Sequence, residues 1–142
     1  MIISEKNRVA IQERFAELEH PVVLQFYESS LDCPTCPEIR QLLTELVELS
    51  NQLTLETYNL YADSDRAQAV GIDKAPAICL TDDSRKDYGI RFYGAPSGYE
   101  FATLLEDIRM ISRHDSGLQP DTIEQLVNLT QAVDLSVFVT PT

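Results

Sequence analysis

The sequence predicts an α/β fold, a central mixed four-stranded sheet with helices on both faces. An extra N-terminal helix precedes it and a C-terminal helix–strand stub follows it. Three observations predict this. Apolar runs of strand length alternate with helical periodicity in the order β–α–β–α over residues 22–70. The next two apolar runs are joined by a polar turn and therefore return as an antiparallel hairpin. A Cys-x-x-Cys sits where the first strand feeds the main helix.

The elements follow in chain order. Ile11, Phe15 and Leu18 recur at helical spacing, so residues 4–18 form an amphipathic helix. His20-Pro21 leads into the first strand, residues 22–28, and Ser29 to Asp32 form a short loop. The main helix carries Ile39, Leu42, Leu43, Leu46 and Val47 and stops near Ser50-Asn51. Leu53 to Leu60 is rich in β-formers and makes the second strand. Asp63-Ser64-Asp65 caps a short helix from Arg66 to Val70, ended by Gly71. Pro76 to Leu80 and Tyr88 to Tyr93 make the hairpin around the turn at 81–87. Ser97 and Glu100 have capping-box spacing and open a helix with Phe101, Leu104, Leu105, Ile108 and Ile111 on one face. Gly117 and Pro120 mark a boundary, which divides the chain into a domain at 1–117 and an extension at 118–142. In the extension, Asp121 caps a helix over 121–132 bearing Ile123, Leu126, Val127 and Thr130, and Leu135 to Val139 form a strand.

Cys33-Pro34-Thr35-Cys36 carries the chemistry. Placed at a helix start, Cys33 lies near unpaired N–H groups and the positive end of the helix dipole, which favour a thiolate. Cys36, about one turn on, is close enough to attack a mixed disulfide made by Cys33. Pro34 and Pro37 fall in or just before the first turn, where a missing N–H is tolerated. The competing use of Cys-x-x-Cys is half of a zinc site. Zinc needs about four ligands, whereas Cys79 stands alone and His20 and His114 are far apart and unpaired, so dithiol chemistry is favoured and no metal is expected.

Composition bounds the alternatives. The 142 residues favour one domain with an appendage, and a 44% hydrophobic, 24% charged composition is that of a globular protein. Three cysteines do not make a disulfide framework. A net charge of −12 and a pI near 4.4 argue against nucleic acid and anionic membranes as partners. The N-terminus lacks the pattern of a secretory signal, and no apolar run approaches the roughly 18 residues needed to span a bilayer, so a cytoplasmic location is expected.

With these elements, three stretches carry a resemblance. They are Cys33-Pro34-Thr35-Cys36, Asp73-Lys74-Ala75-Pro76-Ala77, and the run from Tyr88 to Phe101. The chain resembles thioredoxin-fold proteins, and more particularly the first unit of the two-unit, glutaredoxin-like protein disulfide oxidoreductases. It is also similar to the N-terminal unit of the flavoproteins of alkyl hydroperoxide reductase systems. The resemblance covers roughly residues 5–115, and 118–142 resembles the start of a second unit.

The resemblance implies Cys33 as nucleophile, Cys36 as resolving thiol, and a cis Ala75–Pro76 peptide facing the dithiol. Pro34, Thr35, Ala75 and Pro76 would then meet the substrate, Ala75 by pairing its backbone with an extended chain. On sequence alone Pro76 reads as an ordinary trans proline opening a strand. No cofactor is implied beyond the redox-active Cys33–Cys36 disulfide. Thioredoxins place a buried acid on the first strand beneath the dithiol; here the position is Gln25, with Glu28 as a substitute. Asp32 and Glu38 oppose a low thiolate pKa, so Cys33 is expected nearer the roughly 7 of thioredoxin than the roughly 3.5 of strong oxidants. The pair is then a reductant or isomerase-like couple at roughly −200 to −270 mV. Cys79 reads as a small core residue, with a third redox thiol as the alternative. Tyr27, Tyr58 and Tyr93 read as core-edge aromatics, and the histidines as surface or turn residues.

Three functions follow. The first is a thiol–disulfide oxidoreductase acting on protein disulfides and recharged by a reductase. The second is a relay or docking module serving a flavoprotein reductase and peroxidase. The third is a thioredoxin-fold binding protein with an idle dithiol. The extension poses its own question, because in the resembling family such a strand runs into a second Cys-Pro-x-Cys. It belongs to a longer two-unit protein, is a retained remnant, or packs through Ile123, Leu126, Val127, Val137 and Phe138 in cis or across a homodimer. Packing is favoured, since those residues otherwise face water.

Overall fold

The protein is described by a computed structural model covering residues 1–140; Pro141 and Thr142, which the sequence assigns to the extension, lie outside the described residues. The elements are α1 (Glu5–Phe15), β1 (Val22–Glu28), α2 (Cys36–Val47), β2 (Leu53–Asn59), α3 (Ser64–Ala69), β3 (Ala77–Asp82), β4 (Asp87–Tyr93), α4 (Tyr99–Arg113) and α5 (Pro120–Val127). The sheet order is β2-β1-β3-β4, with β1 parallel to β2 and antiparallel to β3, and β3 antiparallel to β4. This is the mixed four-stranded sheet that the apolar pattern predicts.

The two central strands, β1 and β3, are buried along almost their whole length because both sheet faces are covered. Val22, Leu24 and Phe26 of β1 face one layer, where they meet Ile11 and Phe15 of α1, Ile39, Leu43 and Leu46 of α2, and the α4 face Leu104, Leu105, Ile108 and Ile111. Leu24 stands opposite Leu80 and Phe26 opposite Ile78 across the β1–β3 ladder. Each such side chain contributes about 1.5–3 kcal/mol by leaving water. On the other face Tyr27, Ala77 and Cys79 pack with Ala67 and Ile72. Since α3 has only six residues, it covers only part of that face.

Several local expectations change. The capping box does not form: Gly98, at φ 59, is the cap residue of α4 and no side chain bonds there, while the Glu100 N–H reaches the Ser97 carbonyl. Glycine enters that left-handed backbone region at no steric cost, and this moves the helix start past Ser97. Asp63 turns its carboxylate back to the Asn59 N–H, 2.8 Å away, rather than capping α3. His20 and His114 are brought together, with ring centroids 4.6 Å apart. Ser112 is the cause: its hydroxyl donates to the His20 carbonyl at 2.7 Å and accepts from the Glu19 and His20 N–H groups. The end of α4 is thereby tied to the entry of β1. At the N-terminus, Glu45 accepts from the Ile2 and Ile3 N–H groups at 2.9 Å, so Ile3 joins the core.

In the extension, α5 ends at Val127 rather than continuing to 132, and residues 131–140 carry no strand. A lone strand has no partner for its N–H and C=O groups, so the β-formers of 135–139 stay irregular. Nor does the extension pack in cis: Val127, Val137 and Phe138 are 77%, 83% and 94% exposed. No described helix is long and apolar enough to cross a membrane.

Candidate active site

Strand direction brings the site together. The C-terminal ends of β1 and β2 and the N-terminal end of β3 share one sheet edge. That edge therefore holds the loop after β1 with the two cysteines, the loop after β2 with Tyr61, and Ala75-Pro76 before β3.

Cys33 and Cys36 are joined as a disulfide, their Cα atoms 5.3 Å apart. The helix begins at Cys36 rather than at Cys33, with Thr35 as its cap residue and Pro37 in its first turn. The Cys36 N–H donates to the Cys33 carbonyl at 3.2 Å, so Cys33 sits one tight turn ahead of α2. The positive end of the helix still faces the motif. Cys33 is 8% exposed and Cys36 1%, so an incoming sulfur meets Cys33 first. The Thr35 hydroxyl is 4.0 Å from Cys33 Sγ. Pro34 and Thr35 are exposed.

The Ala75–Pro76 peptide is cis, as the resemblance implies. Gly94 holds Pro76 in place by donating its N–H to the Pro76 carbonyl at 3.1 Å. Among the described residues no hydrogen bond takes the Ala75 N–H or C=O, which leaves both for another chain.

Charge around the motif is mixed. Asp32 and Glu38 are exposed beside it. The Glu28 carboxylate is occupied by Arg40 of α2, whose Nε donates at 2.7 Å, and this ion pair braces the joint between β1 and α2. Gln25 does not lie beneath the dithiol. It is on the α3 face, in register with Cys79 and donating to Glu56 at 3.2 Å, whereas both redox cysteines pack in the opposite layer. Cys79 is likewise remote from the dithiol layer, and burial pushes its thiol up to about 11 despite Arg91 nearby. Tyr27 is wholly buried rather than at the core edge, and burial, with Cys79 next, pushes its hydroxyl up to about 12.

Sequence reading missed two exposed apolar side chains at this edge. Leu31 precedes the motif and is 75% exposed; Tyr61 follows β2 and is 57% exposed. Apolar residues inside polar loops were the available signal.

A Cys-x-x-Cys turn after a central strand, sharing its sheet edge with a cis proline that opens an antiparallel hairpin, defines a thioredoxin-like fold carrying a disulfide between its paired cysteines. The comparisons agree. The chain superposes on a protein disulfide oxidoreductase from Aeropyrum pernix K1 with a TM-score of 0.80 and 28% identity, over 91% of this chain and 56% of that one. It superposes on the N-terminal domain of alkyl hydroperoxide reductase AhpF from Enterococcus faecalis with a TM-score of 0.82 and 26% identity, over 90% of this chain and 61% of that one. In sequence it is 29% identical over 101 residues to the AhpF protein of Pseudomonas aeruginosa alkyl hydroperoxide reductase, covering 71% of this chain and 17% of the relative. The chain thus spans under a fifth of the curated relatives it matches. No family model matches it.

Proposed function

We propose that the protein is a thiol–disulfide oxidoreductase acting on protein disulfides, with Cys33 as nucleophile and Cys36 as resolving thiol. The observation that carries this is the pair's unequal burial at a turn before α2, Cys33 retaining a little exposure and Cys36 almost none. The Cys33 thiolate attacks a substrate disulfide, forming a mixed disulfide and releasing one substrate thiolate. Cys36, deprotonated, then attacks the Cys33 sulfur and releases the second. The substrate gains two electrons and the protein is left as the Cys33–Cys36 disulfide, which a reductase must reduce. Pro34, Thr35 and the free backbone of Ala75, next to Pro76, receive the substrate chain in extended form, and exposed Leu31 and Tyr61 add apolar contact. A cytoplasmic setting suits this cycle, since the pool there keeps such thiols reduced.

Insulin reduction, driven by a thioredoxin-reductase system or dithiothreitol, tests this reading. Turnover that disappears in Cys33→Ser supports it; equal background rates for wild type and variant contradict it.

A second reading is favoured by one observation, the likeness to alkyl hydroperoxide reductase AhpF. In it the dithiol relays electrons from a flavoprotein to a peroxidase. Strict dependence on a dedicated flavoprotein, with little insulin turnover, distinguishes it. In either reading residues 118–142 are an extension resembling the start of a second unit, and its exposed apolar residues serve association, with a second copy as the simplest partner.

A further inference from the structure

The face of the sheet opposite the dithiol layer carries a polar row that the redox reading does not use. In register across the four strands stand Glu56, Gln25, Cys79 and Arg91. A cleft of about 100 Å³ opens over this row, between the sheet and α3, with Arg66, Arg85 and Arg91 among its walls. The chain holds only 11 Lys and Arg against 23 Asp and Glu, so three guanidiniums around one small cleft run against its overall charge.

Acceptors engage two of these cations and leave the third: besides its carboxylate, Arg91 donates to the Val70 and Ile90 carbonyls at 2.8 and 3.0 Å, and Arg85 to the Asp83 carbonyl at 2.8 Å, whereas the Arg66 guanidinium has no hydrogen bond among the described residues. Glu56 is shared by the Tyr58 hydroxyl at 2.7 Å, Gln25 at 3.2 Å and Arg85. Asp87 is shared by the Gly89 N–H at 2.8 Å and by Arg91 at 2.6 and 2.9 Å. Burial alone would raise the Glu56 carboxyl, but its donors together outweigh that and hold it low, so it stays charged. Arg66 has no carboxylate partner among the described residues and lies over the Tyr58 ring, 4.4 Å from its centre. Three positive charges against two negative leave one unbalanced cation with free donors. A further group nearby lacks a partner. Tyr27 shares this face, its ring 5.3 Å from Tyr58, and its fully buried hydroxyl has no hydrogen bond among the described residues. Planar guanidinium forks match oxyanions in geometry as well as charge.

We propose that this cleft binds a small tetrahedral oxyanion, a phosphate or sulfate group, held by the donors of Arg66, with Arg85 and Arg91 contributing positive charge to the cleft wall. The site is separate from the dithiol, with Cys79 in its floor. A free inorganic ion and the phosphoryl group of a larger ester present the same chemistry to it.

Calorimetric titration of the full chain with inorganic phosphate, sulfate and a nucleoside monophosphate, at constant ionic strength, tests the proposal. Saturable binding is expected, about tenfold weaker in Arg66→Gln, as for the loss of one charge-assisted contact. Arg109→Gln, which removes the same charge from α4, should bind as wild type does. Equal binding of free ion and ester identifies the ion as sufficient, and tighter binding of the ester identifies a larger ligand; both support the site. In a Cys33→Ser, Cys36→Ser background, phosphate should slow alkylation of Cys79 severalfold. Non-saturable heats, equal effects of the two arginine variants, or saturable binding that leaves Cys79 alkylation unchanged would each overturn the assignment.

Discussion

Three cysteines in one small domain stand in different places and are predicted to differ in reactivity. Cys33 lies at the sheet edge before α2, Cys36 is 1% exposed beneath it, and Cys79 is 2% exposed on the other face with its thiol pushed up to about 11. At pH 7 a thiol of that kind is thiolate in roughly one molecule in ten thousand, against a few per cent for an ordinary cysteine. In the reduced protein, limited alkylation read by mass spectrometry should therefore label Cys33 first, then Cys36, and Cys79 last. Preferential labelling of Cys36 would contradict the assignment of roles. Cys36→Ser should accumulate mixed disulfides with clients that Cys33→Ser does not form. These two cysteines were legible from spacing and from the strand–helix switch around them. The locations of Gln25 and Glu28 were not, because strand alternation leaves open which face is which until the layers are assembled.

Among the elements, the β3–β4 turn is organised by Asp82, a buried acid that accepts from the Ser84 hydroxyl at 2.6 Å, from the Ser84 and Lys86 N–H groups, and from the Tyr88 hydroxyl. The Ser84 hydroxyl is the largest influence holding its carboxyl at about 2, below its ordinary 3.8. Glu45 is likewise held at about 2 by the Ile3 and Ile2 N–H groups. A depressed acid stabilises the fold above its unfolded pKa and loses that contribution as pH falls toward the folded value. Denaturant unfolding should thus show stability falling between about pH 4.5 and 2, with Asp82→Asn less stable at pH 7 and the gap closing near pH 2. A gap independent of pH would mean that the carboxylate's charge is not what matters. Asp107 acts in the opposite sense: burial, with Glu106 beside it, pushes it up to about 6, so its contribution declines as pH rises to that value. In the dithiol layer, Leu24→Ala should cost about 2–5 kcal/mol, measured by the same unfolding curves, because a wholly buried central-strand side chain leaves a cavity. Within residues 1–117 each helix and strand identity followed from periodicity, with bounds shifted by up to three residues. Helix ends were the weak points: a capping box defers to Gly98, α2 starts at Cys36, since proline positions permit more than one first turn, and α1 and α2 stop at Phe15 and Val47, about three residues early.

Taken as a whole, the molecule has a sheet covered on its dithiol face, only partly covered by α3 on the other, and an exposed appendage. The domain order was readable because each strand run was long enough to separate from its helix. The fate of 135–139 was not, since strand propensity cannot act without a partner edge. As α5 and residues 128–140 are exposed, a version ending at Gly117 should keep the thermal midpoint of the full chain to within about 2 °C, as expected when less than about 0.5 kcal/mol is lost. Light scattering should find the shortened version monomeric and the full chain associated. A full chain that is monomeric at all concentrations would show that the apolar extension serves no self-association.

The central claim is that the Cys33–Cys36 pair cycles rather than staples. The helix end favours the thiolate and the exposed Asp32 and Glu38 oppose it, which predicts a moderate reductant. Equilibration with glutathione or dithiothreitol buffers, followed by trapping of the free thiols, measures its reduction potential directly. A value between about −200 and −270 mV is predicted, within reach of cellular reductants. A value below about −300 mV would mark a structural disulfide that such reductants leave closed, and would contradict the redox function.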